Sequence, residues 1–585
     1  MSRVSLKITG ASGQGINSIG EILAKGLKRE GYCVFGYREY PSLIKGGHAS
    51  YQLDVDAKEI RSSETHINIL VCLNHHGLEL NINEVKPGGI IVHVSPDWKF
   101  STADAAMLKK NKISVVCFPV DTFLRELKAK PVLANVLLSA FVWSALGQDE
   151  ETLTALVTEK FAAKKDLIEM NRVCVHKGAN YTDPTVGKLS VALAKPNKKW
   201  SKDLLITGSQ AMGLGAVHAG VRLYAGYPMT PSSPLLSFIA DLQNKTGMVV
   251  KQAEDEITAA QFVSGAMHAG TRALTATSGG GFDLMSETLS MNAIIENPTV
   301  FVLAQRPGPA TGLPTWTAQA DLLMAVNTAH GEFARCVLSA SDATDAFHLM
   351  NTAFNLAEEF QISVVVLTDK HIAEALFTQT PYDQSKTKIN RGSQLVTTAA
   401  ELKKLKSSDR YDPKTKNGVS KRWLPGSKAE TYCAQGDEHD ASGVVTETGP
   451  NTKEQFDKRL RKVSALTKAL PEPELFGDKN PNILLVGWGS TKGAILDAME
   501  DPAFAKLKIG YLHYTALWPL RTEKFQTLAK KAKKVILIEG NTQGQLGKLL
   551  AQECGVMIQK QILKYDGRPF FTDELVSDLS TSLKK

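Results

Sequence analysis

Short hydrophobic runs alternate with helix-like stretches along most of the chain. In the first third, strand-like runs stand at residues 4–8, 33–37, 49–55, 67–73, 89–94 and 114–120. After the first run, apolar residues at Ile16, Ile19, Ile22, Leu23 and Leu27 recur on one face of a helix. Strands that alternate with helices indicate parallel sheets, so the pattern predicts an α/β fold.

The pattern is interrupted twice, which divides the chain into five segments. We predict three α/β units, separated by a basic, proline-containing linker and by a long segment in which charge and proline rise and periodicity fades. The units span residues 1–190, 204–382 and 481–585, the linker residues 191–203 and the long segment residues 383–480.

The long segment is predicted to wrap over its neighbours and to end in a short basic helix near residues 453–466. Within it, residues 436–440 read Gly-Asp-Glu-His-Asp, which resembles a metal cluster. Alternating charges in a loop are more often solvated, so we do not predict a metal site there.

Composition excludes several classes of protein. The chain has 585 residues, of which 43% are hydrophobic and 22% charged, as expected for a globular protein with sizeable cores. A net charge of +8 over this length is mild and does not indicate nucleic-acid binding. The longest apolar run, residues 132–146, is shorter than the ~20 residues of a membrane span.

Cysteine usage and the start of the chain indicate a compartment. Seven cysteines are scattered without a CxxC pair, so no local zinc or iron–sulfur signature is present, and the odd count favours a reducing environment. The chain enters a strand at residue 4 without a signal peptide. We therefore expect a cytoplasmic protein without a membrane anchor.

Two glycine-rich loops lie in the first unit. Residues 10–15 connect a strand to a helix, an arrangement that offers backbone N–H groups to a phosphate. Their spacing is GxxGxG, and no acidic residue is clearly placed after the second strand, which together argue against a dinucleotide site. A tight turn without a ligand remains open. In the second loop, Lys45 and His48 flank two glycines and could bind an anion or be simply solvated.

The second unit places polar segments directly after its strands. Residues 227–233 read Tyr-Pro-Met-Thr-Pro-Ser-Ser, a turn whose prolines bracket the hydroxyl of Thr230. Residues 252–256 read Gln-Ala-Glu-Asp-Glu and lie between a strand-like and a helix-like run. Because open α/β sheets bind ligands at the carboxyl ends of their strands, these segments predict a binding site.

Five motifs of this unit together resemble the pyrimidine-binding domain of the 2-oxoacid:ferredoxin oxidoreductases. The first unit resembles the gamma subunit of that family, a Rossmann-like domain fused ahead of the alpha subunit, and the third resembles the transketolase C-terminal-like domain. This order looks most like 2-oxoglutarate:ferredoxin oxidoreductase. The motifs are residues 227–233, 252–256, 275–281 (Thr-Ala-Thr-Ser-Gly-Gly-Gly), 305–315 (Gln-Arg-Pro-Gly-Pro-Ala-Thr-Gly-Leu-Pro-Thr) and 319–322 (Gln-Ala-Asp-Leu).

The resemblance implies thiamine diphosphate and a role for particular residues. Glu254 would contact the aminopyrimidine ring, for which its carboxylate must be partly desolvated, whereas Asp255 and Glu256 are interpreted as residues of the first helical turn. Thr230 and Arg306 would bind the substrate carboxylate. Other implied contacts are Pro228, Met229, Thr277, Ser278 and Gly279 for the cofactor, Tyr227 for the substrate, and Gly13, Gln14, Gly15 and Lys45 for coenzyme A.

The resemblance also implies partners. A beta subunit would carry the Mg²⁺–diphosphate site and a [4Fe–4S] cluster, in an (αβ)₂ heterotetramer. Coenzyme A would accept the acyl group and ferredoxin the electrons, with 2-oxoglutarate as substrate in either direction. Three alternatives stay open: pyruvate or a branched 2-oxoacid as substrate, a self-sufficient transketolase-like or NAD-dependent enzyme, and a nucleotide-binding regulatory protein.

Overall fold

The computed structural model describes residues 3–43, 46–160, 162 and 165–584. The first unit holds six strands and seven helices in alternation. They are β1 (Val4–Ser12), α1 (Ile16–Glu30), β2 (Cys33–Glu39), β3 (Gly46–Asp56), β4 (Ile67–Cys72), α2 (His75–Asn81), β5 (Val85–His93), α3 (Thr102–Lys110), β6 (Ser114–Cys117), α4 (Val120–Glu126), α5 (Ala134–Ala145), α6 (Glu150–Lys160) and α7 (Lys165–Ala179).

The second unit continues the alternation after the linker. Its elements are β7 (Leu204–Thr207), α8 (Gly208–His218), β8 (Leu223–Gly226), α9 (Ser233–Thr246), β9 (Val249–Gln252), α10 (Glu256–His268), β10 (Ala273–Thr277), α11 (Gly279–Leu284), α12 (Ser286–Ile294), β11 (Thr299–Gln305), α13 (Leu322–Asn327), β12 (Arg335–Ser339), α14 (Ala343–Phe360), β13 (Ser363–Asp369), α15 (Lys370–Glu374) and β14 (Leu376–Gln379).

The long segment has little regular structure and leads into the third unit. It contains α16 (Ala399–Leu402) and α17 (Gly449–Ala469). The third unit consists of β15 (Glu474–Gly477), β16 (Ile483–Trp488), α18 (Thr491–Met499), β17 (Ile509–Tyr514), β18 (Ala516–Trp518), α19 (Glu523–Lys531), β19 (Lys534–Glu539), α20 (Gln545–Cys554), β20 (Lys560–Leu563) and α21 (Thr572–Lys584).

Three sheets organise these elements, which confirms the predicted α/β class. Their strand orders are β6-β5-β4-β1-β3-β2-β14-β7, β18-β12-β13-β11-β10-β8-β9 and β15-β17-β16-β19-β20. All six strands predicted for the first unit are present, and β8 to β13 of the second unit pair in parallel as expected. Strands β8 to β13 therefore all end at the same edge of this sheet.

The sheets do not respect the predicted divisions between units. Strands β14 and β7, which the sequence places in the second unit, are the last two strands of the first sheet. Strand β18 of the third unit pairs antiparallel with β12 of the second. Hydrogen bonding across both divisions fixes the units against one another.

Residues 383–470, here called the strap, are held to the second unit by buried charges. Glu296 lies in the connection between α12 and β11. It is buried and forms ion pairs with Lys458 and Lys462 of α17. Arg410 donates to the carbonyl oxygens of Ile295 and Glu296 at 2.9 and 3.0 Å. Helix α17 has 21 residues and is longer than the short basic helix that the sequence predicts.

The acidic run of the strap is occupied by structural contacts. Arg459 donates to both carboxylate oxygens of Glu438, and Asp440 accepts from the backbone N–H of Ser442 at 2.7 Å. His439 is buried, with Nε2 3.2 Å from the carbonyl oxygen of Ile294. Across the described residues, no three His, Cys, Asp or Glu side chains are grouped as metal ligands. Nor does any described helix combine the length and apolar character of a membrane span.

Candidate functional site

Four of the predicted segments lie side by side at the carboxyl edge of the second sheet. They follow β8, β9, β10 and β11, and these strands are neighbours in the order β11-β10-β8-β9. Because the strands pair in parallel, each segment leaves the sheet at the same edge. The sequence predicted this convergence, and the topology confirms it.

Thr230 and Arg306 are in direct contact. Arg306 follows β11, and its Nη1 donates to the carbonyl oxygen of Thr230 at 2.6 Å. Both side chains are half-buried. Burial lowers the pKa of the Arg306 guanidinium, and the nearby negative charge of Asp321 opposes that shift. The structure thus brings together the hydroxyl-bearing turn and the cation that were predicted to share one ligand.

The turn after β8 also contacts the end of β10. The Thr277 hydroxyl lies 3.8 Å from the sulfur of Met229. Thr277 and Ser278 are fully buried, and the Ser278 hydroxyl has no hydrogen-bond partner among the described residues. Gly279 opens α11 directly after them, so these predicted cofactor positions form one continuous surface beside the turn. Pro228 and Tyr227 lie at its exposed rim.

The three acidic residues after β9 have different environments. The side chain of Glu254 is exposed and accepts from the Thr258 hydroxyl at 3.2 Å. Asp255 is the N-cap of α10 and accepts from the Thr258 N–H at 2.7 Å, as its predicted helix-start role requires. Glu256 is 4% exposed, and its Oε1 has no hydrogen-bond partner among the described residues.

Within this chain, therefore, Glu256 is buried and Glu254 is exposed, and the predicted contact of Glu254 with the cofactor stays a prediction. A Cβ placed on Gly281 would lie 2.7 Å from Glu256 Oε1 and would also collide with the Thr277 hydroxyl. The physical reason is helical geometry: Glu256 begins α10 on the face that carries Ala259, Ala260 and Val263, whereas Glu254 precedes the helix. The spacing i, i+3, i+4, i+7 was the sequence signal that could have separated the two glutamates.

A second carboxylate at this edge, that of the half-buried Asp321, was not singled out from the sequence. Asp321 belongs to the Gln-Ala-Asp-Leu motif, and its Oδ2 lies 3.2 Å from where a Cβ of Gly279 would be. This oxygen has no hydrogen-bond partner in the described part of the chain. Burial, followed by the charge of Asp283, raises the pKa of Asp321 to about 6, although Arg306 opposes the shift.

The glycine loop of the first unit lies beside a groove. Gly13 and Gly15 have left-handed φ values of 96° and 89°, and α1 begins after Gly15 without a side-chain cap. Gln14 is exposed, and its Oε1 accepts from the N–H of Ala11 at 2.7 Å and from Asn74 Nδ2 at 3.1 Å. Lys45, the fourth predicted residue of this site, is outside the described residues.

The groove has a volume of about 450 Å³ and joins two units. Gly13 and Gly15 line one wall, together with Arg38 from the end of β2. Pro234 and Glu374 of the second unit line the other, and Pro234 stands four positions after Thr230, in the first turn of α9. The glycine loop and the carboxyl edge of the second sheet are therefore neighbours in space.

Comparison with known proteins agrees with this architecture. Residues 214–448 match the family described as pyruvate flavodoxin/ferredoxin oxidoreductase, thiamine diphosphate-binding, and residues 5–181 match the family described as pyruvate ferredoxin/flavodoxin oxidoreductase. The chain is similar over its whole length to a solved 2-oxoglutarate:ferredoxin oxidoreductase from Magnetococcus marinus with 2-oxoglutarate, coenzyme A and succinyl-CoA bound. That structure has 27% sequence identity and a TM-score of 0.91, with 100% of both chains covered.

Curated relatives extend the comparison. The alpha subunit of 2-oxoacid:ferredoxin oxidoreductase 2 from Aeropyrum pernix is 31% identical, with 100% of this chain and 98% of that protein covered. The 2-oxoglutarate synthase subunit KorA of Methanothermobacter marburgensis is 29% identical over 65% of this chain and 99% of its own length. The Aeropyrum protein is similar to this chain over its whole length, and the matched families and the fold agree with it. The chain therefore belongs to the alpha subunits of the 2-oxoacid:ferredoxin oxidoreductases.

Proposed function

We propose that this alpha subunit supports the oxidative decarboxylation of 2-oxoglutarate to succinyl-CoA, or the reverse carboxylation, with electrons exchanged with ferredoxin. The observation that supports it most is the contact of Arg306 with Thr230. Beside it lie Glu256 Oε1 and the Ser278 hydroxyl, here called the cradle, which are buried without hydrogen-bond partners among the described residues. That combination suits a small anion held against a polar heterocycle. The names of the Magnetococcus and Methanothermobacter proteins favour 2-oxoglutarate.

The cradle fits the aminopyrimidine part of thiamine diphosphate. Glu256 Oε1 and the Ser278 hydroxyl are buried without hydrogen-bond partners in the described chain, which costs about 1–3 kcal/mol each unless a ligand or partner completes them. A Cβ on Gly280 would meet no atom, whereas one on Gly281 would collide with Thr277 and Glu256, so only glycine allows the backbone to approach them this closely. When bound, the cofactor supplies a nucleophilic carbon and an electron sink for decarboxylation.

We propose that the carboxylate that contacts the aminopyrimidine ring is that of Glu254, as the resemblance implies. A carboxylate can share a proton with a ring nitrogen near neutral pH only where water does not solvate it fully. Glu254 is exposed in this chain and accepts from the Thr258 hydroxyl, so the subunit that covers this edge must exclude water from it. Glu256 is already buried and packs against Gly281, where it lines the cradle.

Arg306 and Thr230 would position the substrate. The guanidinium can bind a carboxylate through two parallel N–H groups, and its bond to Thr230 O fixes the direction of the fork. The hydroxyl of Thr230 and the phenol of Tyr227 are further donors on the same turn. Holding the carboxylate until it leaves as carbon dioxide is the contribution of these residues.

The groove between the units is the proposed coenzyme A site. Backbone N–H groups after Gly15, in the first turn of α1, are available to a phosphate, since α1 has no side-chain cap, whereas the N–H of Gln14 donates to the carbonyl oxygen of Ala11 at 3.1 Å. Arg38 is a cation at the groove that lies within the described residues. Its guanidinium, of which Nη2 lies 3.7 Å from a carboxylate oxygen of Glu374, adds to the phosphate binding that we propose for Lys45.

The rim of the site supports docking of a second subunit. Large apolar side chains stay exposed in or beside each site segment: Tyr227 is 39%, Ile257 48%, Leu284 50% and Leu313 43% exposed. Exposed apolar side chains grouped around a polar cradle are typical of a protein interface. We propose that a beta subunit covers them and brings the Mg²⁺–diphosphate site and the [4Fe–4S] cluster, in an (αβ)₂ assembly in the cytoplasm.

The substrate assignment is tested on the enzyme purified with its natural partner. We expect 2-oxoglutarate, coenzyme A and a ferredoxin or viologen acceptor to give turnover, with kcat/KM at least tenfold above that for pyruvate or a branched 2-oxoacid. A higher kcat/KM for pyruvate would refute the 2-oxoglutarate assignment and leave the family chemistry in place. Turnover of none of these acids would refute the proposed function.

A further inference from the structure

The main chain on both sides of Asp321 is held by hydrogen bonds to the third unit. Gln319 accepts from the N–H of Gly540 at 2.7 Å and donates to the carbonyl oxygen of Trp488 at 2.7 Å. Gln545 accepts from the N–H of Leu323 at 2.9 Å and donates to the carbonyl oxygen of Ala320 at 2.7 Å. The third unit thus holds the chain on both sides of Asp321.

The carboxylate of Asp321 is not used for this structural purpose. Asp321 stands at the N-cap of α13 but forms no side-chain cap bond, and it is its N–H that donates to Gln305 Oε1 at 3.0 Å. An N-cap aspartate ordinarily satisfies the backbone N–H groups of its helix. Here the carboxylate points instead to Gly279, with Oδ2 buried and unpartnered within the described chain.

The charged groups that face this carboxylate are few. Arg306 follows β11, next to Gln305, and Asp283 lies on α11; both act on the ionisation of Asp321. Glu256, on α10, lies at the other end of the glycine triplet, against Gly281. The Arg306 guanidinium donates its hydrogen bond to Thr230. The negative charge of Asp321 therefore acts on the guanidinium through space.

We propose that Asp321 is a positioning residue that sets the anion affinity of Arg306, and that it takes up a proton from solvent when the carboxylate of a 2-oxoacid binds there. The inference rests on the proposed role of Arg306. An ionised Asp321 competes with the incoming carboxylate for the same guanidinium, and two carboxylates near one cation disfavour each other's charge. Protonation removes the competitor, and reionisation after decarboxylation restores it.

The ionisation of Asp321 is poised for this exchange. With a pKa near 6 the group is mostly charged at pH 7 but lies within reach of protonation when a second anion arrives. A fully solvated aspartate would stay ionised, and a deeply buried one without Arg306 would stay neutral. The third unit fixes the position of Asp321. The second unit supplies the charges that act on its ionisation, those of Arg306 and Asp283.

The test is proton uptake on ligand binding, measured on the enzyme purified with its partner. 2-Hydroxyglutarate, which has no oxo group to react, is titrated calorimetrically at pH 7 in two buffers of different ionisation enthalpy. We expect wild type to take up a substantial fraction of one proton and Asp321→Asn to take up essentially none. The variant should also bind the ligand about three- to tenfold more tightly, and KM for 2-oxoglutarate should fall in parallel.

A second variant acts on the same charge without altering Asp321. Asp283 is exposed, and replacing it by Asn removes a charge that raises the pKa of Asp321, so proton uptake at pH 7 should decrease. Undiminished uptake in both variants, or weaker binding in Asp321→Asn, would overturn the proposal. If wild type binds no 2-hydroxyglutarate at all, or if Arg306→Lys binds it equally well, the proposed function itself fails. Where Asp321→Asn does not assemble, the Asp283 variant alone decides.

Discussion

Two buried glutamates of the second unit show how burial can serve structure in one place and chemistry in another. Glu296 and Glu256 are each almost inaccessible, at 1% and 4% exposure. Glu296 is paired with Lys458 and Lys462 of the strap, so its charge is balanced inside the fold. Glu256 has an oxygen without a hydrogen-bond partner among the described residues, packed against Gly281.

The contrast separates charges that hold the molecule together from charges reserved for a ligand. Burial alone would raise the pKa of Glu296, but the charges of Lys458 and Lys462 hold it well below its usual range. Such a network anchors an otherwise irregular segment. An unpaired buried carboxylate has no comparable structural benefit, so its persistence at a strand edge indicates function.

The largest effect is expected from Glu254→Gln. An amide keeps the shape of the side chain but cannot share a proton with the cofactor ring, so kcat should fall about a thousandfold. Glu256→Gln keeps the shape of a buried side chain packed against Gly281 and should lower kcat less. Both are measured as 2-oxoacid-dependent acceptor reduction by the purified complex. The reverse ranking would move the role to Glu256.

Glu296→Gln should have the opposite signature. It leaves two lysines in the core without their counter-charge, which costs about 3–5 kcal/mol of folding free energy. Differential scanning calorimetry should show an earlier transition, while kcat per folded molecule stays near wild type. Asp457→Asn removes an exposed ion pair with Lys453 on the same helix and should not move the transition. An equally stable Glu296 variant would mean that the strap is held by its apolar and backbone contacts.

The smallest expected effect is a pH dependence of the stability that Glu296 contributes. The pKa of Glu296 is lowered in the folded state, so its contribution is complete above the unfolded value of about 4.3 and is lost as the pH falls towards the folded value. The difference in melting temperature between wild type and Glu296→Gln should therefore shrink as the pH falls below about 4. It should also shrink above about pH 7, because burial lowers the pKa of Lys458 to about 7 and the ion pair is lost when this lysine gives up its proton. A difference that stays constant down to about pH 3 would contradict the role of the Glu296 charge.

Local pattern accounts for most of the framework. The strands of the first unit, the glycine loop before α1 and the parallel order of the second sheet follow from apolar periodicity and turn residues. The length of α17 was underestimated because four of its buried positions are Gln455, Lys458, Arg459 and Lys462, which periodicity counts as polar. They are buried by partners far away in sequence, which no local window contains.

The candidate site, like the framework, was predicted in part from the sequence and decided in part by packing. Its segments were predicted from motif and strand position, and the contact between Thr230 and Arg306 follows once parallel strands end together. Which glutamate faces inward was not decided by the motif Gln-Ala-Glu-Asp-Glu. That depended on where α10 begins and on the neighbour against which its first turn packs.

By itself, the sequence determined the α/β class, the order of the three units and the chemistry available at the strand ends, because these depend on residue type and short spacing. Only the tertiary structure decided that β7 and β14 complete the first sheet, that Glu256 is buried, and that Asp321 is presented to Gly279 by the third unit. Burial and through-space charge depend on atoms hundreds of residues apart. They exist only after the units have packed.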